Sequence, residues 1–76
     1  MLFVIRDREN GGYFVASHRQ TNAMEWSFTR DPARKFSTVG DLMTFADHHL
    51  LNPDRFDVVE LDPETFAVKR VVEVSR

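Results

Sequence analysis

The apolar pattern of this chain changes period twice. Up to residue 30 its hydrophobic side chains fall in short strand-like runs, from Thr38 to Leu51 they recur at helical spacing, and from Phe56 onward the strand-like pattern returns. Only one segment can therefore be an amphipathic helix, and it must bury its apolar side on a sheet assembled from both flanking groups of strands.

Residues 2–6 and 13–17 are β-branched and aromatic runs separated by Asp7-Arg8-Glu9-Asn10-Gly11-Gly12. Asn and Gly tolerate the positive φ that a tight reversal needs, so this reads as a hairpin. A third strand is expected over 26–30, where Trp26 and Phe28 alternate with Ser27 and Thr29. The polar connection from 17 to 25 reads as a surface loop. Asp31-Pro32 stops the third strand, because proline has no amide proton for a ladder.

Thr38 is the expected N-cap of the helix, with Asp41 near its positive end, and Val39, Leu42, Met43, Ala46 and Leu50 share one face. Asn52-Pro53 ends it at about Leu51. Two more strands, 56–61 and 66–74, join through Asp62-Pro63-Glu64-Thr65. Arg70 interrupts the apolar side of the last one, which calls for a bulge near Lys69-Arg70 or for a side chain that snorkels at the sheet edge.

The order β-β-β-α-β-β predicts a single α+β domain over 1–76, an antiparallel sheet of about five strands with one helix packed on one face over Trp26, Phe28 and the valines of the last hairpin. The opposite face is then expected to be open, showing some of Phe3, Ile5, Tyr13, Val15, Val59 and Leu61 to a partner, and an unpaired edge could accept a second copy to form a homodimer.

Several functions are disfavoured. With 76 residues and no cysteine, the chain has no disulfide frame, thiolate nucleophile or cysteine-ligated metal. His48 and His49 are adjacent, so on a helix they diverge by about 100°, unlike paired ligands three or four positions apart, and no metal site is expected. No serine sits in a glycine-flanked elbow, and Gly11-Gly12 precedes a strand instead of a phosphate-cradling helix. A domain this small rarely encloses a pocket of several hundred Å³. The reading is therefore a non-enzymatic protein without a cofactor. The run Leu2-Phe3-Val4-Ile5 is stopped by Arg6 and Asp7, short of a leader core or a membrane span, and points to the cytoplasm.

Charge suggests two partner classes. Residues 1–36 carry six basic and four acidic side chains, residues 37–76 four and eight. The acidic second half, Asp57, Glu60, Asp62 and Glu64 with Asp41, Asp47 and His48 on the helix, forms the candidate surface for a protein partner. The alternative is single-stranded nucleic acid, held by Arg6, Arg8, Arg19, Arg30, Arg34 and Lys35 beside bases stacked on Tyr13, Phe14, Trp26 and Phe28. A net charge of -2 weighs against that alternative.

The run from Trp26-Ser27-Phe28-Thr29-Arg30-Asp31-Pro32 to Ser37-Thr38, followed by a short helix and Phe56-Asp57-Val58-Val59-Glu60, resembles in layout the small orphan proteins of phages and mobile elements. Understood members of that loose class include anti-CRISPR and other host-takeover proteins. The resemblance implies an inhibitor or regulator that binds a bacterial host complex; it carries no functional residue with it.

Overall fold

The computed structural model describes residues 1–18 and 23–74. Five strands, β1 (Leu2–Asp7), β2 (Tyr13–His18), β3 (Ala23–Ser27), β4 (Phe56–Leu61) and β5 (Val68–Val72), form one antiparallel sheet in the order β3-β2-β1-β4-β5. One helix, α1 (Val39–His48), lies on one face, as the change of period predicts.

Local chemistry explains most of the boundaries. In the first reversal the Asp7 carboxylate accepts from the backbone N–H of Glu9 at 2.7 Å, and Gly11 adopts φ +77°, where a side chain would be strained. Thr38 caps α1 by accepting from the Asp41 N–H at 3.0 Å. At the other end, the Leu51 N–H reaches the Ala46 carbonyl (2.9 Å) and the Leu50 N–H the Asp47 carbonyl (3.2 Å). This is the Schellman arrangement, and it places Leu50 in the left-handed position at φ 56°.

That termination corrects the expected helix face. Leu42 and Ala46 are buried, but Leu50 is turned outward and is 89% exposed, while Leu51 takes the buried place. The third strand also lies earlier than its alternation suggests. The Ser27 hydroxyl accepts from the Thr29 N–H at 3.1 Å and so bends the chain, which leaves Phe28 outside the sheet and 76% exposed instead of under the helix. Part of the expected 17–25 loop is strand, with His18 opposite Ala23 and Ser17 opposite Met24. Of the two alternatives for the last strand, the bulge is present: Glu60 pairs with Arg70 and Leu61 with Val68, so Lys69 is the extra residue. β5 is shorter than 66–74 because Phe66 adopts φ 60°.

The largest departure is the face opposite the helix, which is covered. Phe3, Ile5, Phe14, Leu42, Phe56 and Val58 build the helix-side core, whereas Val4, Tyr13, Ala33, Val59 and Leu61 build a second buried cluster with Leu2 and Phe66 packed on it. Of the residues expected on an open face, Phe3 and Ile5 are beneath the helix, Tyr13, Val59 and Leu61 are buried on the other side, and Val15 is half-buried at the β2 bulge.

The cover comes from the segment after β3. Arg30 Nε donates to the Phe66 carbonyl at 2.5 Å, and Lys35 Nζ donates to the carbonyls of Arg30, Asp31 and Ala33 at 3.1, 2.7 and 2.9 Å while standing 4.4 Å from the centre of the Phe66 ring. The same segment then enters the sheet. Phe36 exchanges two backbone hydrogen bonds with Phe3, and the Arg34 N–H donates to the Phe14 carbonyl, so residues 34–36 lie between β1 and β2, which pair directly at Arg6 and Tyr13.

Candidate functional site

The acidic residues singled out by sequence do not form one surface. Phe56 and Val58 face the helix and Val59 and Leu61 face away, so strand alternation sends Glu60 and Asp57 to opposite sides of β4. Asp57 accepts from Arg8 Nε at 2.8 Å, with Arg6 Nη2 at 3.8 Å. Glu60 is only 5% exposed, accepts from Arg70 Nε at 2.7 Å, and has Lys69 Nζ at 3.9 Å. Both carboxylates thus already have cationic partners within the fold.

Asp62 shapes its turn. Its carboxylate accepts from the backbone N–H groups of Thr65 (3.0 Å) and Glu64 (2.8 Å), and these bonds hold its pKa below the ordinary carboxylate value. Glu64 is exposed in that turn, and Asp41, Asp47 and His48 are exposed on α1.

Apart from Arg34, the described members of the basic set are similarly engaged. Arg6 and Arg8 face Asp57, Arg30 and Lys35 hold the cover over the second core, and Arg19 lies outside the described residues. Tyr13 and Phe14 are buried, and the half-buried Trp26 packs edge-on against Phe14 with ring centres 5.4 Å apart. The sheet therefore presents no row of aromatics to stack bases.

A different site emerges between α1 and the β2–β3 hairpin. It is an open groove of about 800 Å³, a surface cleft and not an enclosed pocket. Its helical wall carries Asp41, Thr44, Phe45 and His48, which share a face at spacings of three, four and seven, followed by the C-cap residue His49. Ser17 and Met24, opposite each other on β2 and β3, form the other wall, with Phe36 beneath and Leu50 at the rim.

Aromatic contacts fix the groove. Phe45 is the hub, with Phe14 at 5.5 Å, Phe36 at 5.2 Å and the His49 ring stacked on it at 4.1 Å. The Arg34 guanidinium lies over Phe45 at 4.6 Å and over Phe36 at 5.6 Å, within cation–π range of both. The His49 imidazole is thus packed on the helix's aromatic hub, and His48 is exposed.

Among the described residues, no hydrogen bond joins Ser17 to either groove histidine, and no three His, Asp or Glu side chains converge as metal ligands would. Sequence reasoning passed over Leu50 as a core residue and grouped Arg34 with the sheet cations, and it gave Met24 no role. The signal available was the absence of Gly or Asn at the residue after the helix end, where either would be favoured.

No protein-family model, curated protein or solved structure matches this chain, so the functional reading rests on its own geometry. Among the described residues, no helix is long and apolar enough to cross a membrane.

Proposed function

We propose that this chain is a non-enzymatic binding domain for a protein partner, that it docks through the groove between α1 and the β2–β3 hairpin, and that it acts as an inhibitor or regulator of a larger complex. The observation that carries the reading is Leu50. A large apolar side chain stands 89% exposed at the groove rim, on a backbone held at φ 56°. Left-handed backbone costs a non-glycine residue roughly 1–2 kcal/mol, and full exposure forgoes about 1.5–3 kcal/mol of burial. A leucine that is unfavourable on both counts within the free domain gains if a partner covers it.

Met24, 40% exposed on the edge strand β3, extends the same apolar rim, and the polar residues Asp41, Thr44 and His48 flank it. The layout resemblance directs the search for the partner to bacterial protein complexes. The nucleic-acid reading is less favoured, because among its described residues only Phe28, outside the sheet, is a largely exposed aromatic and only Arg34 is a cation without an anion or carbonyl.

Leu50→Gly separates folding from function. Glycine suits φ 56°, so this variant is expected to melt higher than the wild type by several degrees, yet to recover the partner at least tenfold less well in affinity capture from bacterial lysate. Glu64→Lys, in the turn before β5, is expected to capture it normally. Equal recovery by Leu50→Gly and the wild type would refute the groove, and loss confined to Glu64→Lys would move docking to the acidic hairpin.

A further inference from the structure

We infer that the groove recognises an acidic segment of its protein partner, in which one carboxylate meets the Arg34 guanidinium while a neighbouring apolar side chain packs on Leu50 and Met24. This rests on the groove being the docking surface and specifies what it takes.

The chain has ten Lys and Arg residues, of which Arg19 and Arg76 lie outside the described residues. Of the remaining eight, Arg6 and Arg8 face Asp57, Arg55 faces Glu9, and Lys69 and Arg70 face Glu60. Arg30 and Lys35 donate to backbone carbonyls. Arg34 differs: among the described residues its guanidinium meets only the faces of Phe45 and Phe36.

That arrangement suits a carboxylate. A guanidinium stacked on an aromatic ring is held in orientation while its in-plane N–H groups remain available, and those groups match a carboxylate in a two-bond fork. Because the rings already restrict the side chain, less freedom is lost on binding than for a mobile surface arginine. The anion it lacks among the described residues is the one a partner can bring.

The surroundings favour an acidic peptide over a phosphate backbone. Asp41 stands one helical turn before Phe45 on the same wall and forms no ion pair with Arg34 among the described residues. A polyanion would have to pass this carboxylate with repeated charges. A single acid flanked by apolar residues need not, and Leu50 and Met24 offer its neighbours a surface to cover.

The test is a peptide-display selection from a random twelve-residue library on the immobilised full chain, with Leu50→Asp as the counter-selected surface. The best binder is then measured by fluorescence anisotropy beside a single-stranded oligo-dT probe. The expected outcome is a consensus holding Asp or Glu next to an apolar residue. Arg34→Gln should weaken that peptide by about tenfold to a hundredfold, Arg34→Lys by less, and amidating the acid in the peptide should add no further loss on Arg34→Gln.

Melting temperatures within a few degrees of the wild type are expected for both Arg34 variants, since this side chain is exposed. A consensus without an acid, or one indifferent to Arg34→Gln, would overturn the carboxylate assignment and leave the groove standing. Oligo-dT binding tighter than the peptide and lost on Arg34→Gln would also overturn it, in favour of phosphate. A library that yields no binder, or binders indifferent to Leu50→Asp, would overturn the groove as well.

Discussion

Replacing Lys35 by methionine removes one ammonium group and leaves a stem of nearly the same length, so it isolates what the head group does. The ammonium donates to three carbonyls, those of Arg30, Asp31 and Ala33, and stands over the Phe66 ring. The Arg30 carbonyl retains the Ala33 N–H as a second donor at 3.2 Å. Each hydrogen bond contributes a net of about 0.5–1.5 kcal/mol, and the ring contact about 0.5–1 kcal/mol. Methionine's recovered freedom and better burial offset part of this, giving an expected destabilisation of about 2 kcal/mol. That is a large fraction of the roughly 4–11 kcal/mol that a chain of 76 residues holds. Urea denaturation followed by far-ultraviolet circular dichroism should show the midpoint falling at constant slope, with a melting temperature lower by about 8–16 °C. The cover over Val4, Tyr13, Val59 and Leu61 should loosen first, giving increased binding of a hydrophobic dye under native conditions. A change below about 0.5 kcal/mol would refute the assignment of Lys35 as the clamp of this face.

The buried pair on β4 and β5 makes an asymmetric prediction: Arg70→Met, which leaves the Glu60 carboxylate buried beside a more distant Lys69, should lower the urea midpoint more than Glu60→Gln, which frees two exposed cations. Equal effects would argue against that account. The depressed pKa of Asp62 means that the ionised carboxylate is favoured in the folded turn. Its contribution is therefore fully present above the ordinary aspartate range near 3.9 and lost as pH falls through the folded value, so the melting-temperature gap between the wild type and Asp62→Asn should narrow on acidification from pH 7 to 2.5. Leu42→Ala, at a fully buried helix position, should destabilise by about 2–5 kcal/mol, read as a fall in the urea midpoint at constant slope.

Features set by neighbouring residues were legible in the sequence. The Asn10-Gly11 reversal, the Thr38 cap, the one amphipathic helix and the bulge at Lys69 all follow from interactions within a few positions, and they suffice for the α+β class and its element order. The covered second face was less visible, because its lid is made of Ala33, which belongs to no periodic pattern, and Phe66, which the pattern assigned to the last strand. The unalternating runs Leu2-Phe3-Val4-Ile5 and Val58-Val59 did signal it, since strands buried on both faces lose their polar alternation. Phe28 misled for the opposite reason: alternation continued past the point where the Ser27 hydroxyl turned the chain. The acidic residues looked like one surface because sequence proximity hides the pleat, which parts Asp57 from Glu60. Arg34 could not be told from Arg30 or Lys35 by sequence, as only the folded contacts reveal which cations are already engaged.

The middle of the sheet is occupied by β1, whose partner on one side is β4, with Leu2 opposite Leu61 and Asp7 opposite Phe56. During synthesis, at roughly 5–20 residues per second, the first of these segments waits on the order of 3–10 s for the second to leave the ribosome. Throughout that interval the β4-facing edge of β1 has no strand to pair with, and the strand's ladder contacts are limited to the short pairing with β2 and the Phe3–Phe36 bridge. Slower translation therefore lengthens the time for which that edge stands open.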